Sequence, residues 1–160
     1  MLAVTILALG KCKERYMRDF CAEYEKRLSA FCRLRTVELT PEPLPESPSE
    51  AQIQKALERE GAQILAKIPK SAYVFALCIE GKTLSSEAFS QKMSVLALDG
   101  KSELVFVLGS SYGLSDEVKR RADFRLSMSE MTFPHRLARV MLLEQIYRAF
   151  QIQNGGKYHK

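Results

Sequence analysis

Apolar residues recur along the chain in two alternating patterns, one typical of strands and one typical of helices. Short continuous apolar runs predict strands that are buried on both faces, as in a parallel sheet. These runs occupy residues 5–9, 73–79 and 103–108. Residues 33–39 alternate basic and apolar side chains, which predicts an outer strand, and residues 124–126 predict a short last strand.

Apolar residues near helical spacing, together with polar capping residues, predict the helices between these strands. The first helix is predicted from five such positions, Tyr16, Phe20, Tyr24, Leu28 and Phe31. Later helices are predicted to begin after Ser49, which forms a capping box with Gln52, after Ser85 or Ser86, and after Ser115. The final helix is predicted to follow Pro134, whose ring suits a first helical position. Four prolines between residues 41 and 48 predict an irregular loop.

Strands that alternate with helices are typical of an α/β fold with a mostly parallel sheet and helices on both faces. We expect residues 1–160 to form one domain, because this length buries a sufficient core without disulfides or metals. A composition with 46% apolar and 27% charged residues is that of an ordinary globular protein.

The four cysteines, Cys12, Cys21, Cys32 and Cys78, form no Cys-x-x-Cys pair and no cluster with histidine. We therefore expect reduced core thiols and no metal site. The first ten residues are apolar, but they lack the basic lead and the cleavage site of a secretory signal. They are also shorter than the roughly 20 apolar residues that a membrane span requires. We expect a cytoplasmic protein without a membrane anchor.

In open α/β sheets, ligands bind beyond the carboxyl ends of the strands, and three loops there stand out, residues 77–82, 108–113 and 128–133. The second loop lacks the spacing of a Gly-rich phosphate loop. Its Gly109 and Gly113 indicate either a tight turn or a close approach of the backbone to a flat ligand. In the third loop, Met128, Met131 and Phe133 are either core residues or apolar walls suited to an adenine ring and a thioether.

The C-terminal stretch concentrates positive charge. From Phe133 onward, five Lys or Arg residues stand against the single carboxylate of Glu144, in a chain of net charge +5. Both histidines, His135 and His159, lie in this stretch, and histidine titrates near neutral pH. The pattern indicates either an anionic partner beside a reactive site or a solvated helix face with a frayed end. We expect the tail after Gly155 and Gly156 to be disordered unless something binds it.

Several segments together closely resemble the RlmH type of SPOUT methyltransferase. The most specific motifs are Thr132-Phe133-Pro134-His135, Tyr147-Arg148-Ala149 and the terminal Tyr158-His159-Lys160, and the resemblance covers essentially the whole chain. It implies a C-terminal trefoil knot and a homodimer. It also implies an enzyme that uses S-adenosylmethionine to methylate N3 of a pseudouridine in 23S ribosomal RNA on assembled ribosomes. General topology rules would not predict the knot, because threaded chains are very rare.

Carried over residue by residue, the resemblance implies cofactor contacts in the three loops, at Leu77, Gly109, Met128, Ser129, Glu130, Met131, Thr132 and Phe133. It implies that a second set of side chains faces RNA and includes the catalytic residues: His135, Arg136, Arg139, Arg148, Tyr158 and His159. The tail of one subunit is expected to complete the site of its partner. No metal is expected, because methyl transfer to a ring nitrogen mainly requires alignment.

Two positions depart from the family pattern. Most relatives carry Gly-Gly where this chain has Gly109-Ser110, and an acidic residue where it has Cys78. Ser110 therefore either narrows the expected pocket or adds a hydroxyl contact. An alternative function is a non-catalytic module that binds ribosomes or RNA and has lost turnover. A flavodoxin-like redox protein is a further alternative, which the absence of a phosphate loop disfavours.

Overall fold

A computed structural model describes all residues 1–160. The elements are, in chain order, β1 (Ala3–Leu9), α1 (Arg15–Leu28), β2 (Arg33–Leu39), α2 (Glu50–Ala66), β3 (Tyr73–Thr83), α3 (Ser86–Leu98), β4 (Glu103–Leu108), α4 (Asp116–Arg121), β5 (Phe124–Ser127) and α5 (His135–Gln153). The strand order is β2-β1-β4-β3-β5, and every pairing is parallel. The predicted α/β class is confirmed, and the sheet is entirely rather than mostly parallel.

Helices cover both faces of the sheet, as predicted. Side chains alternate across each strand, so neighbouring residues such as Ile6 and Leu7 enter different cores. The core that contains Ile6 is closed by α1, α3 and α5, with Leu142 of α5 fully buried in it. The core that contains Leu7 is closed by α2 and α4, to which Ile64 and Val118 contribute.

The local capping signals of the sequence are confirmed. The Ser49 side chain accepts a hydrogen bond from the backbone N–H of Gln52, and the Gln52 side chain accepts one from the backbone N–H of Ser49, so the capping box that begins α2 is complete. The Ser85 and Ser115 side chains each accept a backbone N–H at the start of α3 and α4. Gly100 follows α3 with a φ of 84°, a conformation that favours glycine.

One local prediction is wrong. Gly81, shortly after the apolar run of residues 73–79, predicts a turn. Instead, Gly81 lies within β3, where a register shift between Leu77 and Lys82 bulges the pairing with β5. Glycine is needed there because an added Cβ would lie 2.7 Å from the carbonyl oxygen of Arg125. The final helix follows Pro134 as predicted, with Pro134 as the N-cap of α5 and His135 as its first residue.

The first helix forms where predicted, but its apolar residues are not all buried. Leu28 is fully buried, whereas Tyr16 is 61% and Phe20 is 55% exposed. The spacing of these residues correctly predicted the helix, but spacing alone does not show which apolar residues pack against the chain's own core. The exposed part of α1 is therefore an apolar surface without a partner within the chain.

Helix α2 fixes both ends of the loop between β4 and α4. The carboxylate of Glu60 is buried, and it accepts hydrogen bonds from the Ser110 hydroxyl at 3.1 Å and from the Glu42 backbone N–H at 3.0 Å. Burial raises the pKa of Glu60. The next residue, Gly61, lies so close to Ser115 that a Cβ would overlap its side chain. Both ends of this loop are thus pressed against one turn of α2.

Two substitutions of Glu60 should separate the contribution of its hydrogen bonds to stability from the contribution of its charge. Glu60→Ala leaves two partly buried donors without their acceptor and should lower the free energy of unfolding by about 2 kcal/mol. Glu60→Gln can accept from Glu42 and donate to Ser110, so it should stay within about 1 kcal/mol of wild type at neutral pH. Urea unfolding measures both variants, and Glu58→Ala, at an exposed position of the same helix, is the control.

The pH dependence of folding stability shows whether the charge of Glu60 stabilises or destabilises the fold. Because the folded-state pKa of Glu60 is raised, its ionisation opposes folding as the pH rises above the ordinary carboxyl value of 4.5. Wild type should lose stability relative to Glu60→Gln over that rise. A stability difference that does not change with pH would contradict this assignment.

Candidate active site

One cleft lies at the carboxyl ends of β3, β4 and β5. Its volume is about 740 Å³, within the range of about 300–1,000 Å³ that is typical of ligand pockets. Leu77, Gly109 and Met131, one from each of the three predicted loops, all line it. Because these strands are parallel and adjacent, the loops that follow them meet at one edge. The three loops therefore converge on a single cleft, as the sequence predicted.

The walls of the cleft are mainly apolar, and its rim exposes large apolar side chains. Leu108, Met128 and Phe133 contribute to the walls. At the rim, Met131 is 74% and Ile79 is 61% exposed. Exposed apolar groups around a cavity are typical of a binding site for a partly apolar ligand. Met131 is therefore a rim residue and not a core residue.

The loop after β4 is a tight turn of the chain on itself. Gly113 has a φ of 90°, and a Cβ on Gly109 would overlap the carbonyl of Gly113. The turn itself therefore requires both glycines. The backbone N–H groups of Ser111 and Tyr112 have no acceptor within the chain, so they can donate to a ligand.

The loop after β5 is held by its own serines. The Ser127 hydroxyl donates to the Ser129 carbonyl at 2.9 Å, and the Ser129 hydroxyl accepts from the Met131 N–H at 3.0 Å. The N–H groups of Met128 and Thr132 have no acceptor within the chain. Of the predicted contact residues in this loop, Glu130 alone does not line the cleft. The loop thus presents apolar side chains and free backbone donors together.

The sequence missed a pair of charged residues at the edge of the cleft. Glu80 and Lys119 both line it, and they form an ion pair of 2.5 Å. The hydrogen bond from Lys119 holds the pKa of Glu80 below its usual value. Thirty-nine residues separate the two along the chain, so no local motif links them.

His135 is the one titratable predicted catalytic residue that lines the cleft. Burial lowers its pKa below the ordinary 6.5, and the guanidiniums of Arg136 and Arg139 lower it further. The imidazole is therefore neutral at pH 7 and can accept a proton. A Cβ on Gly10, at the end of β1, would lie 4.0 Å from its Nε2 atom.

Arg139 is buried, with 5% of its surface exposed, which contradicts the expectation that it faces RNA. Its Nη1 binds Glu38 Oε2 and its Nη2 donates to the carbonyl of Gly10, both at 2.9 Å. Arg136 is also paired, with Glu14 Oε1 at 2.9 Å. No local pattern predicts these carboxylate partners, because they lie about a hundred or more residues away along the chain.

The C-terminal tail is packed against α5, so the expectation of a disordered tail is wrong for this structure. The Tyr158 hydroxyl donates to Glu144 at 3.0 Å, and the same carboxylate oxygen receives Arg148 Nη2 at 2.6 Å. His159 bridges Arg148, 3.1 Å from its Nδ1, and Glu87, 2.7 Å from its Nε2. Burial raises the pKa of Tyr158, which keeps its hydroxyl protonated.

The tail cluster and the cleft are far apart within one chain. At about 1.5 Å of rise per residue, Arg148 lies about 20 Å along α5 from His135. None of Arg148, Tyr158 and His159 lines the cleft. The predicted catalytic residues thus fall into three places: His135 in the cleft, Arg139 buried beneath the end of β1, and the tail cluster at the far end of α5.

A second groove borders the cleft on the side of α1. It has a volume of about 500 Å³, and its apolar lining includes Val140, the buried Phe89 and the exposed Phe20. Met128 lines both this groove and the cleft, as do Leu126 and Ser127. An apolar partner that occupies the groove would therefore lie next to the cleft.

Metal ligands and reactive thiols are not assembled in the structure. No group of three or more His, Cys, Asp or Glu side chains is placed to hold a metal ion. All four cysteines are free and buried, as predicted, and burial is the main cause that raises the pKa of Cys21 to about 12 and of Cys32 to about 11. None of the helices has the length and apolar character needed to cross a membrane.

Comparison with known proteins agrees with this geometry. A family model described as "Predicted SPOUT methyltransferase" matches residues 2–159. A protein of Carboxydothermus hydrogenoformans is 52% identical over 159 residues, which cover 99% of this chain and 100% of that protein. A protein of Clostridioides difficile is 50% identical over 157 residues, covering 98% and 99%. Both are named ribosomal RNA large subunit methyltransferase H.

Solved structures show the same fold at low sequence identity. A methylase family protein from Haemophilus influenzae Rd KW20 has a TM-score of 0.52 at 13% identity, covering 99% of this chain and 70% of that one. A Legionella pneumophila methyltransferase, solved with bound SAM, has a TM-score of 0.50 at 12% identity, covering 93% and 66%. The chain therefore belongs to the SPOUT methyltransferase family, together with the proteins named ribosomal RNA large subunit methyltransferase H.

Proposed function

We propose that this protein transfers a methyl group from S-adenosylmethionine to N3 of a pseudouridine in 23S ribosomal RNA of assembled ribosomes. The observation that supports this most directly is the single cleft formed by three loops, with the neutral His135 at its edge. Relatives with about half of their residues identical, named as ribosomal RNA methyltransferases, support the substrate class. The family resemblance supports the pseudouridine N3 target.

The cleft suits the proposed cofactor. S-adenosylmethionine, when bound, supplies a methyl group on a positively charged sulfur. Leu77, Met128 and Phe133 would pack on its apolar parts, and the free N–H groups of Met128 and Thr132 would donate to its ring nitrogens or its carboxylate. Gly109, Ser129 and Met131 also line the cleft, whereas Glu130 does not. A contact with Glu130 therefore has the least structural support.

The proposed reaction requires the chain to remove a proton from the target nitrogen. His135 is the proposed acceptor, because its imidazole is neutral at pH 7 and borders the cleft. Arg136 follows directly in α5, but it is paired with Glu14 and does not line the cleft, so its cation would stabilise the negative charge on the base only from a distance. Arg139 has both terminal nitrogens bound within the chain, so we assign it no direct contact with the base.

The proposed assembly is a homodimer in which the tail of one subunit completes the cleft of the other. Within one chain, the tail binds Glu144 and Arg148, which lie about 13 Å and about 20 Å along α5 from His135. A second copy would bring a tail to the cleft. The apolar groove beside Met128, with the exposed Phe20, is the proposed seat of that copy. The predicted trefoil knot and the cytoplasmic location remain part of this proposal.

The non-catalytic alternative has lost its main support. It rested on Ser110, whose side chain was expected either to narrow the pocket or to add a hydroxyl contact. The Ser110 hydroxyl instead donates to Glu60 of α2, and the cleft keeps a volume of about 740 Å³. A binding module remains the second candidate function, because RNA binding alone would also explain the positive charge of the C-terminal stretch.

Two measurements on the wild-type protein discriminate these functions. Calorimetry should show saturable binding of S-adenosylmethionine. Incubation with ribosomes from a strain that lacks the corresponding gene should then add one methyl group to a pseudouridine, as detected by mass spectrometry of the ribosomal RNA. Ribosome binding without cofactor binding would instead establish the non-catalytic module.

His135→Gln tests the proton acceptor. General base catalysis is worth roughly 100-fold or more, so kcat should fall by about that factor while cofactor affinity stays unchanged. In wild type, kcat/KM should decline with falling pH only below 6.5, because the pKa of His135 is lowered from that value. The variant should lack this decline. An identical pH profile in both proteins would remove His135 from the proposed role.

Deletion of residues 158–160 tests the tail. Methylation of ribosomes should fall by about ten-fold or more, because positioning contributes much of the acceleration in such transfers. Binding of S-adenosylmethionine should fall less than methylation does, since no tail residue lines the cleft of its own chain. Lys157→Gln, at an exposed position beside the tail, is the control. Equal turnover by the truncated protein would rule out a catalytic tail.

A mixture of two inactive variants shows whether the tail acts on its own chain. Subunits with His135→Gln are mixed with subunits that lack residues 158–160. If the tail serves the partner, each mixed dimer has one cleft with an intact His135 and an intact tail, so activity returns. If the tail serves its own cleft, no mixed dimer is active.

A further inference from the structure

The loop from Gly10 to Glu14 joins β1 to α1 and begins near His135, which lines the cleft. Gly10 has a φ of 95°, which favours glycine, and an added Cβ would lie 4.0 Å from His135 Nε2. The first residue of the loop is therefore close to the edge of the cleft. None of its residues belongs to the three loops that form the cleft walls.

This loop is fastened on both sides by buried or paired groups. The buried guanidinium of Arg139 donates to the Gly10 carbonyl at 2.9 Å and pairs with Glu38, which also accepts the Cys12 N–H at 3.3 Å. At the other end, Glu14 pairs with Arg136 at 2.9 Å. Such contacts hold the backbone of the loop in one position against the first turn of α5.

The side chains of the loop alternate between the core and solvent. Cys12 is 7% exposed and belongs to the core, so Lys11 and Lys13 on either side of it both point to solvent. Neither ammonium has a carboxylate within 4.0 Å. The nearby carboxylates of Glu14 and Glu38 are already paired with arginines. The loop therefore presents two uncompensated positive charges.

We propose that Lys11 and Lys13 form a phosphate-binding surface that contacts the RNA backbone next to the base in the cleft. This phosphate-binding role rests on the proposed function. A base that reaches His135 brings its own phosphate groups close to Gly10, and Lys11 and Lys13 follow Gly10 on the same fastened loop. Lysine suits this role, because it acts as a point charge toward phosphate without reading the sequence.

The physical role of the buried Arg139 then differs from a direct RNA contact. Its guanidinium binds Glu38 and the Gly10 carbonyl and thereby holds the loop in place. The exposed lysines would supply the contact with the RNA phosphate. Fixing the loop in advance reduces the conformational entropy that would be lost when RNA binds.

The test compares two double variants in binding to purified ribosomes over a series of KCl concentrations. Lys11→Gln with Lys13→Gln removes the proposed surface. Lys55→Gln with Lys101→Gln is the matched control, because it removes two exposed lysines from α2 and from the amino end of β4. Both double variants lose the same net charge, so a general charge effect would appear in both.

Release of counterions from phosphates makes the logarithm of affinity fall linearly with the logarithm of salt concentration, with a slope of about 0.7 to 0.9 per phosphate contact. The Lys11 and Lys13 variant should therefore reduce the slope by about 1.5 and raise KM for ribosomes by about 3- to 10-fold at moderate salt. Its kcat at saturating ribosomes and its affinity for S-adenosylmethionine should match wild type. The control should change neither slope nor KM.

Two results would overturn the proposal. One is an unchanged slope and KM in the Lys11 and Lys13 variant. The other is a raised KM with an unchanged slope, which would indicate contact with a protein surface instead of RNA phosphate. The wild-type reaction separates this failure from failure of the proposed function: wild type that methylates ribosomes leaves only the lysine surface in question, whereas inactive wild type removes the function itself.

Discussion

The parallel direction of all five strands is the constraint on which the rest of the structure depends. Every strand of a parallel sheet ends at the same edge, so the loops after β1, β3, β4 and β5 all meet there. Three of them form the cleft, and the fourth begins with Gly10 near His135 and continues through Lys11 and Lys13. The site is therefore assembled from segments that span most of the chain, although each segment is short.

The cleft keeps its shape because backbone contacts fix its loops. Glu60 and Gly61 of α2 hold the two ends of the loop after β4, and Gly109 and Gly113 allow that loop to fold on itself. Gly81 lets β3 approach the backbone of β5. These positions favour glycine or a buried carboxylate for reasons of packing, so none of them needs to touch a ligand to matter for binding.

The sequence predicted the features that depend on neighbours along the chain. Apolar runs such as residues 103–108, and caps such as Ser49, were correct because their causes are local. The ion pair of Arg139 with Glu38 and the hydrogen bond of Ser110 with Glu60 join distant residues, and no pattern of spacing encodes them. The meeting of three loops at one edge was predictable because it follows from strand direction, whereas their convergence on one cleft also depends on β4, β3 and β5 being neighbours.

Helix α5 then acts as a spacer between two parts of the proposed chemistry. Its first turn places His135 at the cleft and buries Arg139, while its last turns bind the tail through Glu144 and Arg148. A helix is too stiff to bend its two ends together, and Glu144 already satisfies Tyr158 within the chain. If both ends serve one reaction, the tail has to reach the cleft of a second subunit, and a monomer would hold two incomplete halves of a site.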